Sequence, residues 1–405
     1  MEKSLSHVIW YPGNELLLPD IVRAENCHLY DARGKKYVDL ESGVWCTSIG
    51  HNHPRLIRVL TEQSAKIAHT GFNYSAAVVE ESAREILSLL EFDGGACVFL
   101  CSGSEAVEYG VRVAQSLINR PLMMTMTDSY FGAYGSAAKR DESEWYGFDW
   151  LACVECKNDD ACGWRCERWS QIPFEKIGGF LFEPGSSSGL VRFPPEKLVR
   201  NIVNAVRTND GLVLVNEVTT GVGRTGRWFG YQHYGISPDI VALGKGIGNG
   251  YPVSVAAFAS GVRLRLGGRI IKYSQSHQND PLGAAMAREV VRVIEDERLV
   301  ERGREIAARL VDGLTAIKAP TRHIREIRAR GLMVALELQD DPKTSFTITV
   351  HRELVRRGFL VGRRAGVSVL RIDPSLTIHP EDIEDFLETL EDILDKEGEH
   401  IDAKP

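Results

Sequence analysis

The chain has 405 residues, 43% of them hydrophobic and 25% charged, with a formal net charge of -7. That length supports two or three domains around a large core, and the acidic balance argues against nucleic acid or an anionic membrane as the main partner. No run approaches the ~20 apolar residues of a membrane span, and the first ten residues lack the apolar centre of a signal peptide, so a cytoplasmic location is expected.

Taken in chain order, residues 22–39, with "YDARGKKYVDL", have a hairpin-like pattern. The sequence then alternates amphipathic stretches with short apolar runs. Helices are predicted over 54–69, 78–90, 105–118 and 195–208, and buried strands over 98–100, 122–126, 179–182, 212–215 and 240–243. This alternation predicts an α/β fold whose large domain has a mainly parallel sheet covered by helices on both faces. From about residue 281 the texture changes to helices over 281–295, 299–316, 347–357 and 380–395, with strands over 331–338 and 367–372. A smaller α+β C-terminal domain is expected there. The division is 1–50 as a lead-in packing with the small domain, 51–285 as the large domain and 286–405 as the small one. Residues 139–170 follow no assignable pattern. They hold Cys153, Cys156, Cys162 and Cys166, four thiols that could bind a structural zinc. Their spacing is irregular, and reduced thiols are the expectation, with no metal.

Three stretches carry chemistry. Cys101-Ser102-Gly103-Ser104-Glu105 follows an apolar strand and opens a helix, where backbone N–H groups can receive an anion such as phosphate. An ordinary capped turn reads the same way. Asn216-Glu217-Val218-Thr219-Thr220-Gly221 ends a strand at the sheet edge where α/β proteins bind ligands. Lys245 follows another buried strand among glycines. Burial disfavours its ammonium form, and a neutral amine can form a Schiff base with an aldehyde.

Together with "DARGKKYVDLESGVWCTSIGHNHP", "DSYFGAYG", "FLFEPGSSSG", "LVLVNEVTTGVGRTGRWFG", "PDIVALGKGIGNGYPVS", "SQSHQNDPLGAA" and "LRIDPSLTI", these stretches resemble the class III aminotransferases over nearly the whole chain. The resemblance implies fold-type I, pyridoxal 5'-phosphate as cofactor, and a homodimer with shared active sites. It implies amino transfer from an amine or amino acid, including ω-amines, to a 2-oxo acid. Lys245 would be the Schiff-base lysine and proton shuttle. Ser102, Gly103 and Ser104 would bind the cofactor phosphate, helped by Ser276 from the partner subunit. Tyr130 and Val218 would bracket the cofactor ring, and Phe131 and Glu183 belong to the same cofactor-binding set. Arg371 would take a substrate carboxylate, for which a guanidinium fork is suited, and Trp45 would line the pocket. The alternatives are that Tyr130 is ordinary core, Arg371 a structural ion pair and Trp45 packing, readings that weigh less than the cofactor and substrate roles.

The sequence departs from the family pattern at four places. Asn216 stands where the family has Asp, which pairs with the protonated ring nitrogen and makes the ring an electron sink. Asn lacks that charge, which keeps open a racemase or decarboxylase on the same fold, or a catalytically impaired homologue. Thr219 replaces a common Gln that contacts the cofactor's phenolic oxygen, and reaches it only by a closer approach or through water. Ser188 replaces a Glu that masks the substrate-binding arginine in ornithine-type enzymes, so Arg371 is expected to stand permanently available. Phe131 replaces a common His.

Overall fold

The computed structural model describes residues 7–10, 16–154, 156, 163, 166–339 and 345–402. The chain opens with an antiparallel meander of β1 (Ile21–Glu25), β2 (His28–Asp31) and β3 (Lys36–Asp39). A single turn, α1 (Ser42–Trp45), and two helices, α2 (Pro54–Lys66) and α3 (Ala77–Leu89), follow. Then come β4 (Ala96–Leu100), α4 (Gly103–Leu117), β5 (Leu122–Met126), α5 (Ser136–Lys139), β6 (Trp145–Phe148) and α6 (Glu167–Ser170). The next elements are β7 (Ile177–Phe182), α7 (Glu196–Thr208), β8 (Leu212–Asn216), β9 (Ile240–Leu243), β10 (Ser254–Phe258) and α8 (Ser260–Leu266). The last part comprises α9 (Pro281–Asp296), α10 (Leu299–Lys318), β11 (Ile324–Arg330), β12 (Met333–Leu338) and α11 (Phe346–Arg357). It ends with β13 (Phe359–Leu360), β14 (Gly362–Arg363), β15 (Val369–Ile372) and α12 (Pro380–Asp402).

Among the described residues, β4-β10-β9-β8-β7-β5-β6 form one seven-stranded sheet. Strand β10 runs antiparallel to both neighbours; the other pairings are parallel. Alternate residues of its central strands enter two different cores. Phe180, Phe182, Val213, Val215, Val241 and Leu243 join one cluster with α7, while Leu181, Leu212, Leu214, Ile240 and Ala242 join another with α4. Alternation of side chains across a strand therefore accounts for helices on both faces, as the apolar runs predicted. The period-3.6 stripe of α7, with Leu198, Val199, Ile202, Val203 and Val206 buried, supplies one cover.

The two smaller sheets are β1-β2-β3-β13 and β11-β12-β15-β14. The parallel pairing of Val38 with Phe359 ties the opening meander to the C-terminal part. Several elements differ from the sequence expectation. Strand β10 (Ser254–Phe258) was unexpected because three of its five residues are Ser or Ala, and its position between β4 and β9 supplies the pairing. Strand β11 (Ile324–Arg330) hides behind four charged residues on an exposed edge. The strand expected from 331 begins at Met333, because Gly331 makes the β11–β12 turn.

That turn is tightly constrained. Gly331 has φ +57°, and a Cβ there would lie 2.3 Å from the Thr225 carbonyl carbon and 2.4 Å from the Gly226 nitrogen. The contact seats the glycine-rich loop after β8 on the β11–β12 turn. Gly331→Ala is expected to cost about 1–3 kcal/mol or more, read as a lower urea midpoint than wild type.

Candidate active site

Strand β9 is wholly buried and ends at Leu243; Gly244 follows, and Lys245 then takes a left-handed conformation with φ +46°. Its Nζ donates to Thr219 Oγ1 at 2.9 Å and lies 5.2 Å from the centre of the Trp45 ring. Burial holds the Lys245 pKa below the ordinary lysine range; Glu183 and Cys46 oppose that shift and Arg371 adds to it. An amine depressed in this way is more often unprotonated, which is the nucleophilic form. Thr219 thus makes a direct contact with the lysine.

Lys245 faces the start of α4. Ser102 caps that helix, its Oγ accepting from Glu105 N–H at 3.3 Å, while Glu105 Oε2 accepts from the N–H groups of Cys101 and Ser102, both at 2.8 Å. The cap consumes those donors. The N–H groups of Gly103 and Ser104, in the first turn, have no intrahelical acceptor. Gly103 packs so closely that a Cβ would lie 2.6 Å from Val218 Cγ1, and a Cβ on Gly244 would lie 3.1 Å from the Gly103 Cα. Only glycine allows this approach of helix start, Val218 and lysine turn. Ser104 Oγ accepts from Ala133 N–H at 3.0 Å, leaving its own proton to donate.

A chain of hydrogen bonds fixes Tyr130. Asn216 Nδ2 donates to the Tyr130 carbonyl at 3.0 Å, and Asn216 Oδ1 accepts from Val218 N–H at 3.1 Å. A carbonyl only accepts and an N–H only donates, so the two partners determine the amide orientation. Tyr130 N–H donates to Glu183 Oε2 at 3.0 Å, and Ser187 Oγ donates to Glu183 Oε1 at 2.5 Å. Burial pushes the Glu183 carboxyl up to about 7, against the opposing pull of Ser187, the Tyr130 N–H and Lys245. The Tyr130 side chain itself is 47% exposed, whereas Phe131 is buried in the core cluster under α4. Phe131 therefore packs in the core here, and its expected cofactor contact is a proposal.

Arg371, on β15, stacks on Trp45 with its Cζ 3.9 Å from the ring centre. Both the guanidinium and the lysine amine therefore adjoin the same indole. Arg371 is not bare, contrary to the expectation drawn from Ser188: its Nη2 donates to Glu41 Oε1 at 3.0 Å. Ser188 Oγ instead pairs with Ser186 Oγ at 3.1 Å. Burial raises the Glu41 pKa; Arg371 opposes, and Asp39 and Asp373 add to the rise. Ser276 is exposed on the loop before α9, beside Gln275, whose amide reaches Cys101 Sγ at 3.8 Å. Cys162 lies outside the described residues, so the four-cysteine group is not assembled here; neither cluster of potential metal ligands among the described residues contains Cys153, Cys156 or Cys166.

Sequence reasoning did not single out Glu41, Cys46 or Ser187. Glu41 meets Arg371 across 330 residues, a pairing that no local motif announces. Ser187 lies only four residues from its partner Glu183, and an acid followed by three serines was the available clue.

Comparison with known proteins identifies a family for the chain. Residues 11–394 match the family described as aminotransferase class-III. An acetylornithine aminotransferase of Methanosarcina mazei is 27% identical, covering 96% of this chain and 95% of the relative. A leucine/methionine racemase of Thermococcus litoralis is 25% identical, covering 91% and 89%. The crystal structure of an amine transaminase from an uncultivated Pseudomonas species, in PLP-bound form, superposes with a TM-score of 0.85 at 21% identity, covering 97% of this chain and 100% of that one.

Glu217 anchors the loop that presents Val218 and Thr219. Its carboxylate accepts from the N–H groups of Gly230 at 2.9 Å and Tyr231 at 2.7 Å and from Thr220 Oγ1 at 2.7 Å. Burial nonetheless raises its pKa to about 7. A raised folded-state pKa contributes stability that is complete below the ordinary value of 4.5 and lost as pH rises through about 7. The wild-type melting temperature minus that of Glu217→Gln should therefore fall between about pH 5 and about pH 8, measured by thermal scans of both proteins in matched buffers.

Proposed function

The chain belongs to the class-III aminotransferases, and on that premise we propose that the Lys245 pocket binds pyridoxal 5'-phosphate and moves an amino group from an amine or amino acid to a 2-oxo acid. Bound there, the cofactor supplies an aldehyde and an electron-withdrawing ring that carry the amino group between the two substrates. The residues present fit that group. Lys245 offers a desolvated amine to the aldehyde and then carries a proton on Nζ. Thr219 Oγ1 fixes the amine in the resting site. Gly103 and Ser104 give free N–H groups, and Ser104 a hydroxyl, to the phosphate, while Ser102 caps the helix beneath. Tyr130 and Val218 bracket the ring, Glu183 fixes the Tyr130 backbone, and Trp45 walls the pocket. Arg371 takes a substrate carboxylate.

The observation that carries this reading is the buried amine of Lys245 set against the open N-terminus of α4 through the Gly244–Gly103 contact. The working unit is proposed to be a homodimer in which Ser276 serves the partner's phosphate site. Its exposure, and that of Phe72, Tyr74, Leu264 and Ile270, supports a covered surface. A donor amine added without acceptor should change the enzyme's visible absorbance, and a 2-oxo acid should restore it. A second reading, racemisation or decarboxylation, rests on the neutral Asn216. It would be favoured if the donor instead lost chirality or released carbon dioxide without net amino transfer.

Asn216 fits its surroundings as an amide. An aspartate there would set a carboxylate oxygen against the Tyr130 carbonyl now 3.0 Å from Nδ2. Losing the donor and leaving that acceptor unmatched costs about 1–3 kcal/mol. Asn216→Asp is accordingly expected to destabilise the cofactor-free protein, read as a urea midpoint below that of wild type.

A further inference from the structure

Cys27, His28 and Asp382 bring residues from the two ends of the chain together. Asn26, with φ +48°, and Cys27 make the turn between β1 and β2. Neighbours inside a strand point to opposite faces, but the turn lets Cys27 and His28 converge. Both reach Asp382, in the first turn of α12. Cys27 Sγ donates to Asp382 Oδ2 at 3.2 Å, and His28 Nε2 lies 3.0 Å from Oδ1 and 3.0 Å from Oδ2. The sulfur and the imidazole nitrogen are 3.6 Å apart. Cys27 and Asp382 are buried, and His28 is partly so.

Hydrogen bonding alone does not account for this convergence. Nε2 is equidistant from the two oxygens, so a single N–H cannot lie straight along both. The three atoms instead stand where a tetrahedral ion would hold them. Bonds of about 2.3 Å to sulfur and about 2.0–2.1 Å to nitrogen and oxygen give an N···O edge of about 3.3 Å and edges to sulfur of about 3.5 Å. The observed 3.0, 3.2 and 3.6 Å agree with these to within about 0.3 Å. In the other such cluster among the described residues, Asp280 lies 2.5 Å from His69 and 2.6 Å from His277, too close for ligands of one ion. A thiolate, a neutral imidazole and a carboxylate carry two negative charges, which match a divalent cation in a buried place. The sulfur and the imidazole favour zinc over magnesium or calcium.

We propose that Cys27, His28 and Asp382 form a zinc site that fastens the β1–β2 turn to α12, with water in the fourth position. Sγ, Nε2 and one carboxylate oxygen bind the ion. The His28 side chain is 16% exposed, which leaves a path for that water. Burial, with Asp382 adding to it, pushes the Cys27 thiol up to about 12, so in the metal-free protein the sulfur keeps its proton and is a poor nucleophile. As the sulfur–zinc bond forms, that proton leaves to solvent. Lys36, whose Nζ lies 3.9 Å from Asp382 Oδ1, is half exposed and can turn to water when the ion takes its place. Cys27 and Asp382 are 355 residues apart in sequence, so the ion closes a loop spanning most of the chain. A metal that binds only the folded arrangement stabilises it by mass action.

The test uses the cofactor-loaded full chain, stripped with EDTA and titrated with zinc chloride against a competing chelator. Wild type is expected to take up zinc and to melt at a higher temperature with it bound. X-ray absorption at the zinc edge should find one sulfur at about 2.3 Å. Losing a group that merely orients a metal ligand costs about 10–100-fold in affinity. Cys27→Ser and Asp382→Asn, which remove ligands, are therefore each expected to weaken zinc binding by at least about tenfold. His28→Gln, at a partly exposed position, gives the same readout if a buried variant fails to fold. Cys153→Ser and His69→Gln should bind zinc as wild type does. No zinc uptake by wild type would overturn the proposal, as would wild-type affinity in Cys27→Ser. So would a count of four sulfurs, which places the ion on Cys153, Cys156, Cys162 and Cys166, or of none, which places it on His69, His277 and Asp280.

Discussion

Taking the Lys245 amine out of water is the constraint on which the site depends. A charged ammonium is expensive to bury without a counter-charge. Here the direct partner is a neutral hydroxyl, Thr219, and the opposing carboxylate, Glu183, is itself held toward its neutral form by burial. Both groups are thus biased away from full charge. The same burial demands close packing, which explains why glycines at 103 and 244 bring α4, Val218 and the lysine turn into contact.

Below this pocket lies a second tier of buried charge that joins the parts of the chain. Arg224 donates to the carbonyls of Leu332 and Pro374. Burial lowers its pKa to about 10, with Asp373 and Asp39 opposing. Asp39 also accepts from His51 Nε2 at 2.8 Å if that nitrogen carries the proton, and it grips the left-handed turn of α1. The opening meander, the glycine-rich loop and β15 therefore meet at one electrostatic junction. Removing one member of such a network leaves another charge buried and unpaired, which is costly. That interdependence keeps Trp45, Glu41 and Arg371 in mutual register.

Much of this was legible in the chain, for identifiable reasons. Strands β5 (Leu122–Met126) and β9 (Ile240–Leu243) are short apolar runs bounded by polar or glycine residues, and their limits agree with the sequence reading. The convergence of Gly103, Val218, Thr219 and Lys245 follows from placing each at a strand end on one sheet edge. What escaped depended on contacts across the fold. The small residues of β10 form a strand because β4 and β9 flank them. Phe131 beside Tyr130 gave no sign that the two neighbours face different surroundings, one exposed and the other in the core. Ser188 suggested an exposed Arg371, whereas the acid came from residue 41, which no spacing rule connects to 371.

The amide at 216 illustrates the same limit. As a lone substitution it looks like a lost charge. In the fold it is one link in a chain from Val218 through Asn216, the Tyr130 peptide and Glu183 to Ser187. The central claim is that the one amine buried beside Thr219 takes the cofactor's aldehyde. Borohydride treatment of the cofactor-loaded enzyme followed by peptide mass mapping tests it most directly. The account predicts the reduced cofactor's mass on the peptide containing Lys245. An unmodified Lys245 peptide, with the mass absent or carried by another lysine, would contradict it.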